Sequence, residues 1–334
     1  MTEPASLRPI IVLGPTAGRK TELAAEMSDA LGGEVISADS MQIYRHLDAG
    51  TGKPSPLLRS QVRHHLIDIV EPTERFTVAD WLEKSQQLIR ELQGRHSRPI
   101  IVGGTNLYLK VLLQGMFTGP PSDPALRSRL ESTPAADLYQ NLTQVDPESA
   151  LRISPNDRKR VIRALEIHHQ TGTPISQLQT QWSEKSEINS KKSENCSILI
   201  GLDWPVDAIN RRINRRVKAM FDPDKTRLQG NDWWPTESLP QETRHLEESG
   251  LLGPQARQAL GYKQVLEWVH GCSSLHDAFE QTKIQTRRFA KQQRSWLRRF
   301  RQVHWLAAAD YSMPDLTRQA LRAVQAADQH HTSL

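Results

Sequence analysis

Two hydrophobic rhythms alternate through the first third of the chain. Uninterrupted apolar runs at Ile10 to Leu13, Val35-Ile36 and Ile100 to Val102 read as short buried strands, while Leu23, Met27 and Leu31 recur at helical spacing between the first two. Strands alternating with helices predict an α/β protein built on a parallel sheet flanked by helices. After Gly119-Pro120-Pro121 the rhythm changes. From Asp123 to about Gly172 only helical stretches occur, separated by Pro, Asn and Asp, which predicts an inserted all-helical domain. The polar stretch 183–197 has almost no apolar anchor and reads as an exposed loop. Ile198 to Leu202 then restores a core strand, so the first domain is expected to resume. Phe221 to Pro254 shows no period and reads as irregular. The predicted organisation is a catalytic core over 1–118, a helical insertion over 119–196, and the rest of the core over 197–330, ending in a basic helix.

Composition narrows the class only slightly. In 334 residues there are 43 Lys and Arg against 38 Asp and Glu, a formal net of +5, and the distribution says more than the total. Eight Lys or Arg side chains lie between Lys283 and Gln302, with no acid between Glu280 and Asp310. One-signed charge at that density attracts a polyanion. Phe289, Gln293, Trp296 and Phe300 recur at helical spacing within the run and are expected to form a core stripe rather than base-stacking platforms. The two cysteines, Cys196 and Cys272, lie far apart without metal spacing, which argues against a disulfide framework or a zinc site. The N-terminal segment lacks a signal-peptide pattern, and no apolar run approaches the roughly 18 residues of a membrane span. A cytoplasmic protein without membrane contact is expected.

The first strand enters Gly14-Pro15-Thr16-Ala17-Gly18-Arg19-Lys20-Thr21, and a helix follows. This is a phosphate-binding P-loop arrangement: backbone amides cradle phosphate, Lys20 neutralises it, and the Thr21 hydroxyl can ligate Mg²⁺. Taken alone, such a loop suggests a nucleotide such as ATP. The pattern asks for glycine at position 19, where Arg19 stands, with Gly18 one place early. If position 19 needs a positive φ, a non-glycine there costs about 1–2 kcal/mol. The second strand runs into Asp39-Ser40-Met41-Gln42, which puts a carboxylate at a strand's carboxyl end beside the P-loop. Asp39 there can organise Mg²⁺, act as a general base, or merely cap a helix.

Further along lie Gly50-Thr51-Gly52-Lys53-Pro54, His64-His65-Leu66-Ile67-Asp68, Gly103-Gly104-Thr105-Asn106-Leu107-Tyr108, Ser154 to Glu166, Ala259 to Lys263 and Thr286 to Trp296. Together with Ser37 to Gln42, these motifs in this order resemble the bacterial tRNA dimethylallyltransferase family from about Ile10 to Phe300. Arg19, Gly18 and Gln292 depart from the family's pattern. The resemblance implies a P-loop NTPase-like fold and transfer of a dimethylallyl group from dimethylallyl pyrophosphate to the N6 amine of the adenosine beside the anticodon. It implies catalytic roles for Asp39, Lys20, Thr21, Thr51, Arg212 and Arg216, with Mg²⁺ held partly by Thr21. It also implies tRNA contacts from Asp39, Ser40, Met41, Gln42, Thr105, Arg127, Lys159, Arg160, Val161, Ile162 and Arg163. The expected partner is the anticodon stem-loop, bound by a monomer. On a helix starting near Asn156, Lys159 and Arg163 share a face while Val161, Ile162 and Leu165 turn inward. Three other readings remain open at this stage: a P-loop small-molecule or nucleotide kinase, an RNA-binding family member whose P-loop is impaired by Arg19, and an isopentenyltransferase acting on free adenine nucleotides.

Overall fold

The computed structural model describes residues 7–117, 119–179, 197–224, 235 and 237–332. They fall into two compact units, Met1–Leu112 with Glu194–Leu334, and Leu113–Ser193. In chain order the larger unit begins with β1 (Ile10–Leu13), α1 (Lys20–Leu31), β2 (Gly33–Ser37), α2 (Pro56–Gln61), β3 (His64–His65), α3 (Val78–Gly94), β4 (Arg98–Val102) and α4 (Asn106–Gln114), which runs across the boundary. The smaller unit holds α5 (Pro124–Ser132), α6 (Ala135–Val145), α7 (Pro147–Arg152), α8 (Arg158–Thr171) and α9 (Ile175–Leu178). The larger unit then resumes with β5 (Ile198–Asp203), α10 (Val206–Phe221), α11 (Leu239–Glu248), α12 (Tyr262–Val269), α13 (Leu275–Leu297), β6 (Val303–Ala307) and α14 (Met313–Thr332). Among the described residues no helix is long and apolar enough to cross a membrane.

The six strands form one parallel sheet in the order β3-β2-β4-β1-β5-β6. β1 is central, with Ile10 opposite Ile100 on one side and Ile198 on the other. Every residue of β1 is buried, as a doubly covered parallel strand requires. Leu23 and Met27 of α1 join this core, each burial contributing about 1.5–3 kcal/mol. Because β4 returns between β2 and β1 while β5 lies on the far side of β1, the connections diverge at the carboxyl ends of β1 and β4. An open sheet of this kind binds ligands at such a point.

The smaller unit is organised by a buried charge as much as by its apolar core. Glu166 is completely buried, accepts the Asp123 amide at 2.8 Å, and pairs with Arg127 at 3.0 Å and Arg163 at 2.6 Å. Two guanidiniums and an amide supply the partners that a buried carboxylate needs, and they hold its ionisation below the usual range against the cost of burial. α8 starts at Arg158, capped by Asp157, two residues later than the sequence suggested. Lys159 is exposed, whereas Val161 and Ile162 are buried in this unit's core. Their side chains therefore pack inside this unit, so any contact with RNA at these two positions is left to the backbone.

Two other expectations fail in part. The segment from Phe221 to Pro254 contains α11, closed by a reciprocal Ser238/Gln241 capping box with proline in its first turn. Its buried face includes Glu242 and Thr243 beside Leu239 and Leu246, so it carries no apolar period for a sequence reading to detect. On α13 the expected core stripe holds at Gln293 and Phe300 and breaks at Phe289. Phe289 is 40% exposed, while the polar Gln293 is 1% exposed. Trp296 stacks edge-on against the buried Phe300 at 4.9 Å. The 183–196 part of the predicted loop, and Trp233-Trp234, lie outside the described residues.

Candidate active site

The loop after β1 keeps the P-loop's backbone course without its glycine at position 19. Ala17 and Arg19 have φ of 59° and 67°, so the left-handed conformation is present and carried by an arginine. That arginine is also the N-cap residue of α1, and its Nη1 donates to the Tyr311 carbonyl at 3.0 Å. Gly18 serves a different need. Its amide donates to the Pro15 carbonyl at 3.1 Å, and a Cβ there would lie 2.7 Å from that oxygen.

Three elements distant in sequence pin this loop. Trp204, just past β5, donates its indole N–H to the Gly18 carbonyl at 3.2 Å. Arg212 of α10 lies 5.0 Å over the Trp204 ring and donates Nε to the Ala17 carbonyl at 2.8 Å. One turn on, Arg216 donates Nη1 to the Thr16 hydroxyl at 3.3 Å. The apolar face of α10, through Ile209, Ile213 and Val217, is buried against the core, which fixes where the two arginines point. Gln293 closes the ring: it accepts the Thr16 amide at 2.8 Å and donates to the Gly104 carbonyl at 2.7 Å. Neither Gln293 nor Trp204 was singled out as a site residue by the sequence reading. The available signal was a polar side chain in the apolar phase of α13.

Lys20 reaches back to the Pro15 carbonyl at 2.8 Å. Burial lowers its ammonium to about 8 despite the attraction of Asp39, and Arg216 adds to the lowering. Burial likewise lowers Arg212 and Arg216 from the usual guanidinium range. Among the described residues, Lys20, Arg212 and Arg216 form no ion pair. Cations desolvated with no carboxylate at ion-pair distance mark a place that favours an anion.

Asp39 follows β2 and faces this cluster closely enough to act on both Lys20 and Arg216. Its Oδ1 accepts the Met41 amide at 2.9 Å in a local turn; no helix in the described chain starts there. The neighbouring Ser40 amide donates to the Thr105 hydroxyl at 3.0 Å, so the ends of β2 and β4 are tied together. Gly103 permits that approach, since a Cβ there would sit 2.2 Å from the Ala38 carbonyl. Gln42 accepts from the Ser37 hydroxyl and donates to the carbonyls of Thr51 and Gly52. The Thr51 hydroxyl itself is used within its loop, donating to Leu47 at 2.6 Å. Gly52 lies directly on the Arg216 guanidinium, leaving no space for a side chain. Lys53 is buried and paired with Asp48 and Asp68, a structural staple for the same loop. His65 pairs with Glu34 at 2.7 Å.

The Thr21 hydroxyl makes no hydrogen bond within the described chain and is free to ligate. No group of three His, Cys, Asp or Glu side chains able to hold a metal occurs among the described residues. In the smaller unit, Lys159 and Arg160 are exposed, while Arg127 and Arg163 each present a partly exposed guanidinium anchored on Glu166.

A parallel sheet whose first strand runs into this loop and helix, with three cations around the loop and a carboxylate just past the next strand, defines the class: an α/β protein of P-loop-like fold. The model of the IPP transferase family matches residues 42–300. The chain is 40% identical over 302 residues to the tRNA dimethylallyltransferase of Geobacter sulfurreducens, covering 89% of this chain and 91% of that one. It is 40% identical over 306 residues to that of Geobacillus thermodenitrificans, covering 90% of each. Among solved structures, a tRNA isopentenylpyrophosphate transferase from Bacillus halodurans superposes with a TM-score of 0.66 at 32% identity, covering 97% of this chain and 99% of that chain. A eukaryotic dimethylallyltransferase acting on tRNA superposes with a TM-score of 0.72 at 26% identity, covering 91% and 74%. This chain belongs to the IPP transferase family.

Proposed function

We propose that the protein transfers the dimethylallyl group of dimethylallyl pyrophosphate to the N6 amine of the adenosine beside the anticodon of tRNA. The observation that carries this reading is the set of unpaired cations, Lys20, Arg212 and Arg216, around a P-loop that faces Asp39. In the transfer, the amine nitrogen bonds to the allylic carbon as the carbon–oxygen bond breaks, and pyrophosphate leaves with the electron pair. The largest task is stabilising that leaving charge, which falls to the loop amides, Lys20 and Arg216. Asp39, with Oδ1 held by the Met41 amide, accepts the proton that the amine loses. The adenosine must first leave its stack. Thr105 and Gln42 order the turn that presents Asp39.

A divalent ion fits the donor chemistry here: the free Thr21 hydroxyl and the pyrophosphate oxygens suit Mg²⁺, which is commonly held by substrate phosphate and few protein groups. When bound, it would supply further charge neutralisation to the leaving group. RNA attraction is assigned to the exposed cations of α13 and to Lys159, Arg160, Arg127 and Arg163, by their phosphate-seeking charge. The proposed enzyme works as a monomer in the cytoplasm.

Single-turnover reaction of the protein with Mg²⁺, labelled dimethylallyl pyrophosphate and unmodified tRNA is expected to give N6-prenylated adenosine. Folded protein that yields no prenylated nucleoside, or that transfers phosphate from ATP without tRNA, would overturn the proposal.

A further inference from the structure

The backbone of the loop 48–52, which carries Thr51, is held more tightly than a surface turn requires. Glu242 of α11, only 6% exposed, accepts the Asp48 amide at 3.1 Å and the Ala49 amide at 2.9 Å. It also accepts the hydroxyl of Tyr262, a side chain at the start of α12 that is wholly buried. That same hydroxyl accepts the Gly50 amide at 3.1 Å. Three consecutive backbone amides thus end on two side chains from two helices, and a Cβ at Gly50 would lie 2.4 Å from the Tyr262 ring. Burial pushes the Glu242 carboxyl up to about 7 against the pull of the Tyr262 hydroxyl and the amides. A carboxylate placed at such cost could be replaced by an apolar side chain if the loop needed only filling.

The held loop acts on two site residues. Its Thr51 and Gly52 carbonyls accept from Gln42 Nε2, the latter at 3.0 Å. Gly52, at φ 62°, lies flat against Arg216 and leaves its Nη1 directed at the Thr16 hydroxyl. A shift of the loop by a fraction of an ångström would let the guanidinium tilt away from the P-loop. We infer that Glu242 and Tyr262 are positioning residues for the transfer reaction, which work by clamping the loop that sets the direction of Arg216. The inference rests on the prenyl-transfer reading.

Misplacement by about 1 Å costs on the order of 100-fold in rate, so partial release of the clamp should cost about tenfold. Tyr262→Phe keeps the ring and removes only the hydroxyl that joins Gly50 to Glu242; Glu242→Gln keeps the shape and serves as a second probe should the first fold poorly. Each is compared with wild type by single-turnover rate, with burst amplitude giving the active fraction. Both are then repeated in an Arg216→Lys background. The expected result is a rate per active molecule lowered about tenfold with the amplitude kept, and a loss below about twofold once Arg216 is lysine. A general structural role would lower amplitude instead, or multiply fully with Arg216→Lys, and either result overturns the inference. Wild-type protein that prenylates nothing overturns the prenyl-transfer reading itself, which is a separate outcome.

Discussion

Arg19 lets the backbone course of the P-loop be tested by stability alone. Its φ of 67° places an arginine in the left-handed region, at a cost of about 1–2 kcal/mol relative to a relaxed conformation. Glycine avoids that strain but gives up about 0.5–1 kcal/mol of extra chain entropy on folding. Arg19→Gly also loses the exposed hydrogen bond to the Tyr311 carbonyl, worth about 0.5–1.5 kcal/mol, so by itself it should be close to neutral. Arg19→Ala loses the same bond and keeps the strain. The difference between the two variants therefore isolates the backbone: glycine should be the more stable by about 0.5–1 kcal/mol. Denaturant titration of both proteins, with midpoints and slopes fitted together, reads this directly. Were position 19 an ordinary right-handed helical residue, alanine would win by about 0.8–1 kcal/mol. That reversed order would refute the account of the loop given above.

Two further outcomes follow from the site. The Lys20 ammonium, lowered to about 8 in the free protein, should be raised by an anion beside it. Pyrophosphate binding is then expected to take up protons around pH 8 and not at pH 6, and its affinity to fall as pH rises through 8. Calorimetry in buffers of different ionisation heat measures this, with Lys20→Arg subtracting the ligand's own titration; equal uptake by both proteins would contradict the assignment. Phe289 is 40% exposed on the basic helix, and a base stacked on it is the expected use of that exposed ring. Phe289→Ala should weaken tRNA binding by about 1–3 kcal/mol while leaving the unfolding midpoint almost unchanged, and a large stability loss with intact binding would return Phe289 to the core.

How much of this was legible in the sequence depended on whether the signal was local. β1, β2, β4 and β5 announced themselves because parallel strands covered on both faces are continuous apolar runs. The P-loop and Asp39 were legible because one turn and one strand end suffice to place them. β3, which consists of His64 and His65, could not be read from hydrophobicity, since its strand identity comes from pairing with Val35 and Ile36. Phe289 left its expected core position while Gln293 kept it, because helical spacing gives a face but not what covers it. Gln293 is buried by the P-loop amide and the Gly104 carbonyl that it satisfies, and both partners lie far away in sequence. Val161 and Ile162 stand within a motif similar to a tRNA-contacting one, and a motif's span does not distinguish the side chains that touch a ligand from those that hold the helix in place. α11 was hidden for a related reason: its inward face is partly polar, and the Glu242 carboxylate there answers to amides about 190 residues earlier in the chain.

The central strand has a consequence for how the protein is made. Ile10 is paired with Ile100 and with Ile198, so during synthesis β1 emerges long before either neighbour exists. Contacts of such long range are slow to form, and an unpaired apolar strand is exposed to association with other chains in the interval. The helical unit lies within the chain segment that separates β4 from β5, and its contacts are largely local, α6 with α7 and α8 above all. It can take shape while the sheet waits. β5 is thus also the strand that brings Trp204 to the P-loop, and the phosphate site is completed only once α13 has been synthesised and Gln293 closes the loop.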